Sequence, residues 1–260
     1  MTFATIEHAL EQLRSGRPVL VLDDEDRENE GDAILAAELA SPQWVGWMVR
    51  HTSGYLCAPM EDTRADRLGL PLMWSANTDP LRTRYTVSVD AATSTTGISS
   101  VERAATTRAL ADPRTTSADL IRPGHVLPLR ARDGGVLTRR GHTEAAVDLT
   151  RLAGLQAVGL IGEIVHDDGT CARTPDVLAL GQAEGLDVIT IESLANWRRS
   201  HEEQPSTTTP GSSTTRVSPT VSAQLPTRHG VFTMTGYHDQ LTGACLLYTS
   251  DAADEGLGVD

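Results

Sequence analysis

The chain has 260 residues and a net charge of -13; 39% of its residues are hydrophobic and 4% are aromatic. This length allows one sizeable domain, or one domain plus a fragment. The negative charge argues against a general binder of nucleic acid or anionic membranes, because their phosphates must be met by Lys and Arg. The sequence shows neither a signal peptide nor an apolar stretch of the roughly 20 residues that a membrane span needs, so we expect a cytoplasmic protein with no membrane or nucleic-acid partner.

Short apolar runs alternate with amphipathic segments through residue 202. Runs typical of strands cover residues 18–22, 33–37, 55–60, 85–89, 122–129, 157–165 and 187–191. Helical patterns with capping residues cover residues 6–15, 42–50, 61–70, 100–110, 144–153, 175–184 and 193–201. This alternation predicts an α/β (α+β) fold, with a mixed central sheet and helices on both faces, in a single compact domain followed by a disordered C-terminal tail.

The stretch Asp23–Asp32 follows the first apolar run, and seven of its ten residues are carboxylates. A loop that leaves the end of a buried strand lies where α/β sheets usually bind ligands. Clustered carboxylates repel one another unless a cation is near, and hard oxygen ligands suit Mg²⁺ or Mn²⁺. A solvated acidic loop is the alternative. An EF-hand loop is excluded, because its closing acid would fall on Ala37.

Two further segments have the chemistry of an anion site. The hydroxyl-rich loop Thr93–Ser99 leads into a helix that Ser99 and Glu102 cap. The segment Arg139–Glu144 places two arginines, a glycine and a histidine just before a helix for which Thr143 is a plausible N-cap. Arginine side chains and free N–H groups at a helix N-terminus bind phosphate monoesters well. Solvated arginines around a surface histidine are the structural alternative.

Glu163 interrupts the apolar run 157–165. A carboxylate inside a buried strand is costly unless it is paired or functional, so Glu163 is a candidate catalytic residue; an outward position on an edge strand is the alternative. Cys57 and Cys171 fit small buried residues, since the three cysteines form no CxxC pair.

The composition changes after residue 203. From Pro205 to Ser222, 14 of 18 residues are Ser, Thr or Pro, which is typical of a flexible linker. The sequence therefore divides into a folded domain at 1–203, a linker at 204–222 and a fragment at 223–260 that is too short to build a core.

Three separated motifs, Asp23–Asp32, Thr95–Ser99 and Arg139–Glu144, occur together with Arg122–His125. In this combination, residues 3–202 resemble 3,4-dihydroxy-2-butanone 4-phosphate synthase of riboflavin biosynthesis. The resemblance implies a lyase that converts D-ribulose 5-phosphate to L-3,4-dihydroxy-2-butanone 4-phosphate and formate. It also implies a homodimer that uses Mg²⁺ or Mn²⁺, with two ions per active site.

We expect positions that match the family's motifs to have the same roles as in the family. The resemblance implies metal ligands at Glu28 and His142. It implies catalytic roles for Asp32, His125 and Glu163. It implies substrate binding by Arg27, Glu28, Asp32, Arg139, Arg140, Gly141, His142, Thr143 and Glu163.

The likeness has limits. Glu102 stands where the family usually has aspartate, and Thr93-Ser94 replace a more glycine-rich lead into the loop. Residues 225–243 resemble the start of GTP cyclohydrolase II, but the zinc-binding cysteines and catalytic part are absent, so that activity is not expected. Two other functions stay open from the sequence: a catalytically silent binding module, and a sugar-phosphate isomerase that shares the enediolate step and releases no formate.

Overall fold

A computed structural model describes residues 3–202, 217–227, 230–239 and 245–250. The chain divides into two compact units, Met1–Gln204 and Pro205–Asp260. In the described residues, no helix is long and apolar enough to cross a membrane.

The first unit contains seven strands and seven helices among the described residues. The strands are β1 (Val19–Leu22), β2 (Gly31–Ala36), β3 (Cys57–Met60), β4 (Val89–Ala91), β5 (Leu120–Arg130), β6 (Gly159–Glu163) and β7 (Val188–Thr190). The helices are α1 (Ile6–Arg14), α2 (Pro42–His51), α3 (Asp62–Arg67), α4 (Ser100–Ala111), α5 (His142–Leu152), α6 (Thr174–Glu184) and α7 (Ile191–Glu202).

The seven strands form one mixed sheet in the order β4-β5-β3-β6-β2-β1-β7. The pairs β1–β7 and β3–β5 are parallel, whereas β1–β2, β2–β6, β3–β6 and β4–β5 are antiparallel. The register of β2 on β6 places Asp32 opposite Glu163. Strand order thus brings together two carboxylates that are far apart in the chain.

Helices cover both faces of this sheet because its strands are apolar on both sides. Val19 and Val21 belong to one hydrophobic cluster, which also takes residues from α1, α5 and α7. Leu20 and Leu22 point the other way, into a cluster with residues of α2, α3, α4 and α6. Successive side chains on a strand face opposite sides, so β1 is buried from both directions. The predicted fold class is confirmed.

Two local predictions were wrong. The alternating residues 85–89 were expected to form a strand, but the regular ladder starts only at Val89, while Tyr85 makes an isolated bridge to Leu129. An alternating sequence pattern shows which side chains face solvent. It does not show whether a neighbouring strand is placed to form a ladder with these residues. Helix α5 begins at His142 with Gly141 as its N-cap, two residues earlier than the predicted cap at Thr143.

In the second unit, the described residues form three antiparallel strands, β8 (Val217–Thr227), β9 (Gly230–Asp239) and β10 (Cys245–Ser250), in the order β10-β9-β8. This differs from the disordered tail expected after residue 203. Residues 217–222, which were assigned to the linker, lie in β8. The rest of the predicted linker, up to residue 216, lies outside the described residues.

Candidate active site

The acidic loop between β1 and β2 is organised by the carboxylate of Asp23. Its Oδ2 accepts from the backbone N–H of Glu28 at 3.1 Å and from Nη1 of Arg27 at 2.8 Å. Its Oδ1 accepts from the backbone N–H of Glu30 at 2.9 Å. One buried carboxylate therefore closes the loop from inside, while Oε2 of Glu28 accepts from Nη1 of Arg27.

His142 opens helix α5 directly beside this loop. Its Nε2 is 3.1 Å from the carbonyl oxygen of Val21 on β1. A carbonyl oxygen only accepts, so Nε2 carries the proton and donates it to this bond. The other ring nitrogen, Nδ1, lies 3.8 Å from Oε2 of Glu28 and 3.6 Å from Oδ1 of Asp32. Positions 28 and 142 are far apart in sequence, yet the fold brings their side chains together.

The electrostatics of this cluster favour positive charge. Burial lowers the pKa of His142, but the charges of Asp32 and Glu28 outweigh it and raise that pKa to about 9. Burial and the neighbouring carboxylates raise the pKa of Asp32 to about 7. Burial also raises the pKa of Glu28, but hydrogen bonding to His142 and the charge of Arg27 lower it overall. A group of carboxylates that holds a proton on a buried histidine is a group that attracts a cation.

The donor set fits a hard divalent cation. Ligand atoms of Asp23, Glu28 and His142 all lie within 4.8 Å of one another. Both oxygens of Asp23 already accept loop hydrogen bonds. Oδ1 of Asp32, in contrast, is buried without a hydrogen-bond partner among the described residues. Glu28 and His142, with Asp32 behind them, are therefore the groups most able to bind an ion, and the Val21 carbonyl fixes the histidine tautomer that such binding requires.

A cavity lies next to this cluster. It is lined by Arg27, Glu28, Glu30, Asp32, Cys57, Thr83, Tyr85, Leu129, Arg139, His142, Thr143, Ile161 and Glu163. Seven of the predicted site residues are in this lining: Arg27, Glu28, Asp32, Arg139, His142, Thr143 and Glu163. At its edge, Glu163 Oε2 accepts from the hydroxyl of Ser53 at 2.7 Å. A larger groove of about 680 Å³ lies along α1 and α6, but none of the predicted site residues line it.

Sequence reasoning did not assign Cys57, Thr83 or Tyr85 to the site, although all three line the cavity. Burial raises the pKa of the Tyr85 hydroxyl well above its usual range and likewise raises the pKa of the Cys57 thiol. Both therefore face the cavity as neutral groups. Cys57 lies inside the predicted strand 55–60 and is the first residue of the observed strand β3, and that position is the signal by which it could have been found. Thr83 lies between the predicted helix 61–70 and the predicted strand 85–89, where no pattern indicates a role.

The two arginines before α5, Arg139 and Arg140, lie in different environments. Arg139 is held firmly: Nη1 contacts Glu144 Oε2 at 2.6 Å, and Nη2 donates to the Leu81 carbonyl oxygen at 3.1 Å and the Thr83 hydroxyl at 3.2 Å. Arg140 is more exposed and lies 3.6 Å from Asp24 of the acidic loop. The first turn of α5 adds backbone N–H groups for which the helix itself provides no acceptor. This end of the cavity therefore suits an anion.

His125 occupies a separate place, because the described cavity lining does not include it. Its Nδ1 lies 2.7 Å from Oδ2 of Asp90, and its backbone N–H donates to Oδ1 of the same carboxylate at 2.9 Å. Asp90 is 9% exposed and His125 is 42% exposed. A side chain at Gly97, in the hydroxyl-rich loop, would overlap both members of this pair. The pair fixes the ring and leaves Nε2 on the open side.

The mixed sheet and the buried acidic cluster facing a histidine define the class: an α/β enzyme whose site suits a divalent cation. Residues 7–197 match the family model of 3,4-dihydroxy-2-butanone 4-phosphate synthase. The chain belongs to this family.

Three relatives show the extent of the similarity. Riboflavin biosynthesis protein RibBA of Salinispora arenicola is 53% identical over 244 residues, which are 94% of this chain and 55% of that protein. The chain thus spans about half the length of the curated relatives it matches. A solved 3,4-dihydroxy-2-butanone 4-phosphate synthase in complex with two magnesium ions is 43% identical, with a TM-score of 0.72 over 78% of this chain and 100% of the other. The two-domain synthase RibBX of A. baumannii is 34% identical, with a TM-score of 0.82 over 97% of this chain and 71% of the other.

Proposed function

We propose that the protein converts D-ribulose 5-phosphate to L-3,4-dihydroxy-2-butanone 4-phosphate and formate. The observation that carries this proposal is the meeting of Glu28, Asp32 and His142: Nδ1 of the histidine lies 3.8 Å from Oε2 of Glu28 and 3.6 Å from Oδ1 of Asp32, an oxygen with no hydrogen-bond partner among the described residues. The family relationship supports the same reaction. A relative's structure in complex with two magnesium ions supports Mg²⁺ as the ion. We further propose that each site takes two ions and that Mn²⁺ can replace Mg²⁺.

Glu28 and His142 are the residues that would hold the ion. When bound, a divalent cation supplies Lewis-acid stabilisation to negative charge that develops on a substrate oxygen. The protein's own groups do the rest. Asp32 and Glu163 lie opposite each other on adjacent strands, so their side chains share the face of the sheet that lines the cavity, where they can accept protons from a small ketose or return them. Because burial raises the pKa of Asp32 to about 7, this carboxyl group can both bind and release a proton near neutral pH.

The phosphate end is formed by the segment before α5. Arg139, Arg140, Gly141 and Thr143 combine guanidinium groups with the free N–H groups of the helix N-terminus. Arg27 contributes a further positive charge from the acidic loop. Holding the phosphate there fixes the carbon chain beside Glu28, and positioning of this kind accounts for a large share of most enzymatic rate enhancements.

The test is a formate assay on purified protein with D-ribulose 5-phosphate and Mg²⁺. We expect formate release that is lost when the metal is chelated and in Glu28→Gln, while Mn²⁺ binding measured by electron paramagnetic resonance is also lost in that variant. The matched control is Glu25→Gln, an exposed acid of the same loop, which should behave like the wild type. Formate release at the wild-type rate by Glu28→Gln would contradict the assignment.

The same assay separates the alternatives. A sugar-phosphate isomerase would consume the ketose and yield an isomeric pentose phosphate with no formate. A silent binding module would bind Mn²⁺ and the sugar phosphate and leave the ketose unchanged.

We also propose that the working enzyme is a homodimer. His125 carries a catalytic role by family resemblance but is not in the described lining of the cavity beside Glu28, which fits a site completed by a second copy. Mixing inactive Glu28→Gln and His125→Ala proteins under subunit exchange should then restore about a quarter of wild-type turnover, since half the dimers are mixed and each has one intact site. Mixing with a protein that carries both substitutions is the control and should restore none. No recovery in the first mixture would show that each chain uses its own His125.

Two broader assignments complete the proposal. The cytoplasm is the proposed location, because a phosphorylated pentulose does not cross membranes unaided. Residues 1–203 form the synthase domain, residues 204–222 a linker and residues 223–260 a segment that resembles the start of GTP cyclohydrolase II. We assign no activity to that segment.

A further inference from the structure

The acidic loop is tied to the rest of the protein from outside as well as from inside. Nη1 of Arg173 donates to the carbonyl oxygen of Glu28 at 3.0 Å and also contacts the carbonyl oxygen of Asn29. Two consecutive carbonyl groups can turn toward one guanidinium because Asn29 is in the left-handed region, with φ at 54°. Asparagine tolerates that conformation better than most residues. The loop therefore has a cationic contact at the residue that carries the proposed ligand.

Arg173 is itself fixed in place. Its backbone N–H donates to Asp176 Oδ2 at 3.0 Å, which stabilises the start of α6. The preceding residue, Ala172, donates its N–H to the Ile164 carbonyl oxygen at 2.9 Å, just beyond the end of β6. The guanidinium thus connects the main chain of Glu28 to the end of the strand that carries Glu163. It links two walls of the cavity.

The contact also answers an electrostatic problem. Asp23, Asp24, Glu25 and Asp26 precede Glu28 in the same loop, and like charges so close together push the loop apart. A guanidinium on the carbonyl side opposes that expansion without using the carboxylates. The side chain of Glu28 is not used by this contact, and its Oε2 instead faces Arg27 and His142.

We propose that Arg173 is a positioning residue for the cation site: through the main-chain carbonyls of Glu28 and Asn29 it holds the Glu28 carboxylate within reach of His142. This inference rests on the proposed function. Without the guanidinium, the two carbonyl groups turn to water and the Glu28 side chain samples positions away from Nδ1 of His142. The cation is then bound more weakly, although its ligands are unchanged.

The test compares Arg173→Met with Arg17→Met. Arg17 is a matched control, since one of its nitrogens also donates to two consecutive carbonyl groups, those of Glu184 and Gly185, at 3.4 and 2.6 Å. We expect Arg173→Met to raise the dissociation constant for Mn²⁺ about tenfold, the range typical when an outer partner of a metal ligand is lost. Arg17→Met should leave it unchanged. Urea unfolding measures the loss of stability in each variant. A merely structural role of Arg173 would predict an equal loss in Arg173→Met and Arg17→Met.

Arg173→Lys retains the charge and a donor, so its Mn²⁺ affinity should lie between those of the wild type and Arg173→Met. If Arg173→Met does not fold, Arg173→Gln replaces it and the same expectation applies. Wild-type Mn²⁺ affinity in a folded Arg173→Met or Arg173→Gln protein overturns the inference. A failure of the metal assignment itself is distinguishable, because it would appear as unchanged Mn²⁺ binding in Glu28→Gln.

Discussion

Two histidines of this protein lie in opposite environments. His142 is buried. It donates a hydrogen bond from Nε2 to a main-chain carbonyl, and its Nδ1 faces Glu28 and Asp32. His125 is 42% exposed, and its Nδ1 contacts Asp90. In the first arrangement Nδ1 faces a group of carboxylates, and once its proton is released this nitrogen can bind a cation there, as a metal ligand does. The second anchors the ring with a carboxylate and leaves Nε2 open, as a proton-transferring histidine does.

The comparison teaches that the partner of one ring nitrogen decides what the other can do. Both histidines follow a glycine in the sequence, so residue type and local motif do not distinguish them. Substitutions that change one partner at a time should therefore affect metal binding at one site and turnover at the other.

The largest expected effect is at His142. His142→Asn removes Nδ1 from between Glu28 and Asp32, so Mn²⁺ affinity should fall by more than the roughly 10- to 100-fold that loss of an outer partner costs. Formate release should fall with it. Titration by electron paramagnetic resonance measures the affinity, and circular dichroism checks the fold. His8→Asn, at an exposed histidine paired with Asp187, is the control. Retained Mn²⁺ affinity would remove His142 from the site.

A smaller effect is expected at Asp90. Asp90→Asn replaces the carboxylate that holds the His125 ring but leaves the ring in place, so turnover should fall by up to about a hundredfold, the lower end of general acid–base contributions. Mn²⁺ affinity should stay at the wild-type value. Formate kinetics and a nitrogen NMR spectrum of the His125 ring measure the rate and the tautomer. Asp187→Asn, in the His8–Asp187 pair away from the cavity, is the matched control. An equal loss of Mn²⁺ affinity would mean that the two regions do not act separately.

Much of the His142 region could be predicted because its signals are local. The apolar run of β1, the acidic loop after it and the apolar helical pattern of α5 are each visible within about a dozen residues. What joined them was the family resemblance. Periodicity contains no information on which strands pair, so the register that sets Asp32 opposite Glu163 could not be derived from the residues.

The parts that sequence reasoning missed depend on tertiary structure. Thr83 and Tyr85 reach the cavity because Arg139 holds the 81–83 segment through the Leu81 carbonyl and the Thr83 hydroxyl. No turn signal or alternation at those positions indicates such a contact. The orientation of His125 likewise depends on Asp90, 35 positions earlier in the chain. Long-range hydrogen bonds of this kind have no sequence period.

The smallest effect concerns the loop that packs on the His125–Asp90 pair. Glu102 accepts from the backbone N–H and the hydroxyl of Thr95 at 2.6 and 2.7 Å, and from the Ser99 hydroxyl at 3.0 Å. Hydrogen bonds from Thr95, then from Ser99, lower the pKa of Glu102 to about 2, from 4.5 for a free side chain. Because the folded-state pKa is the lower one, this carboxylate stabilises the fold above pH 4.5 and loses that contribution as the pH falls toward 2.

Urea unfolding of the wild type and of Glu102→Gln from about pH 6 to about pH 3 measures this contribution. The wild type should be the more stable protein at the upper end, and its advantage should shrink steadily toward the lower end. The difference should be small, since Glu102 is exposed and water screens its bonds. Mn²⁺ affinity should be equal in the two proteins, because the loop borders His125 rather than His142. If the stability advantage of the wild type over Glu102→Gln grew on acidification, Glu102 would be repelled by its neighbours in the folded protein. The Thr95 contacts would then not be what orders the loop beside the His125–Asp90 pair.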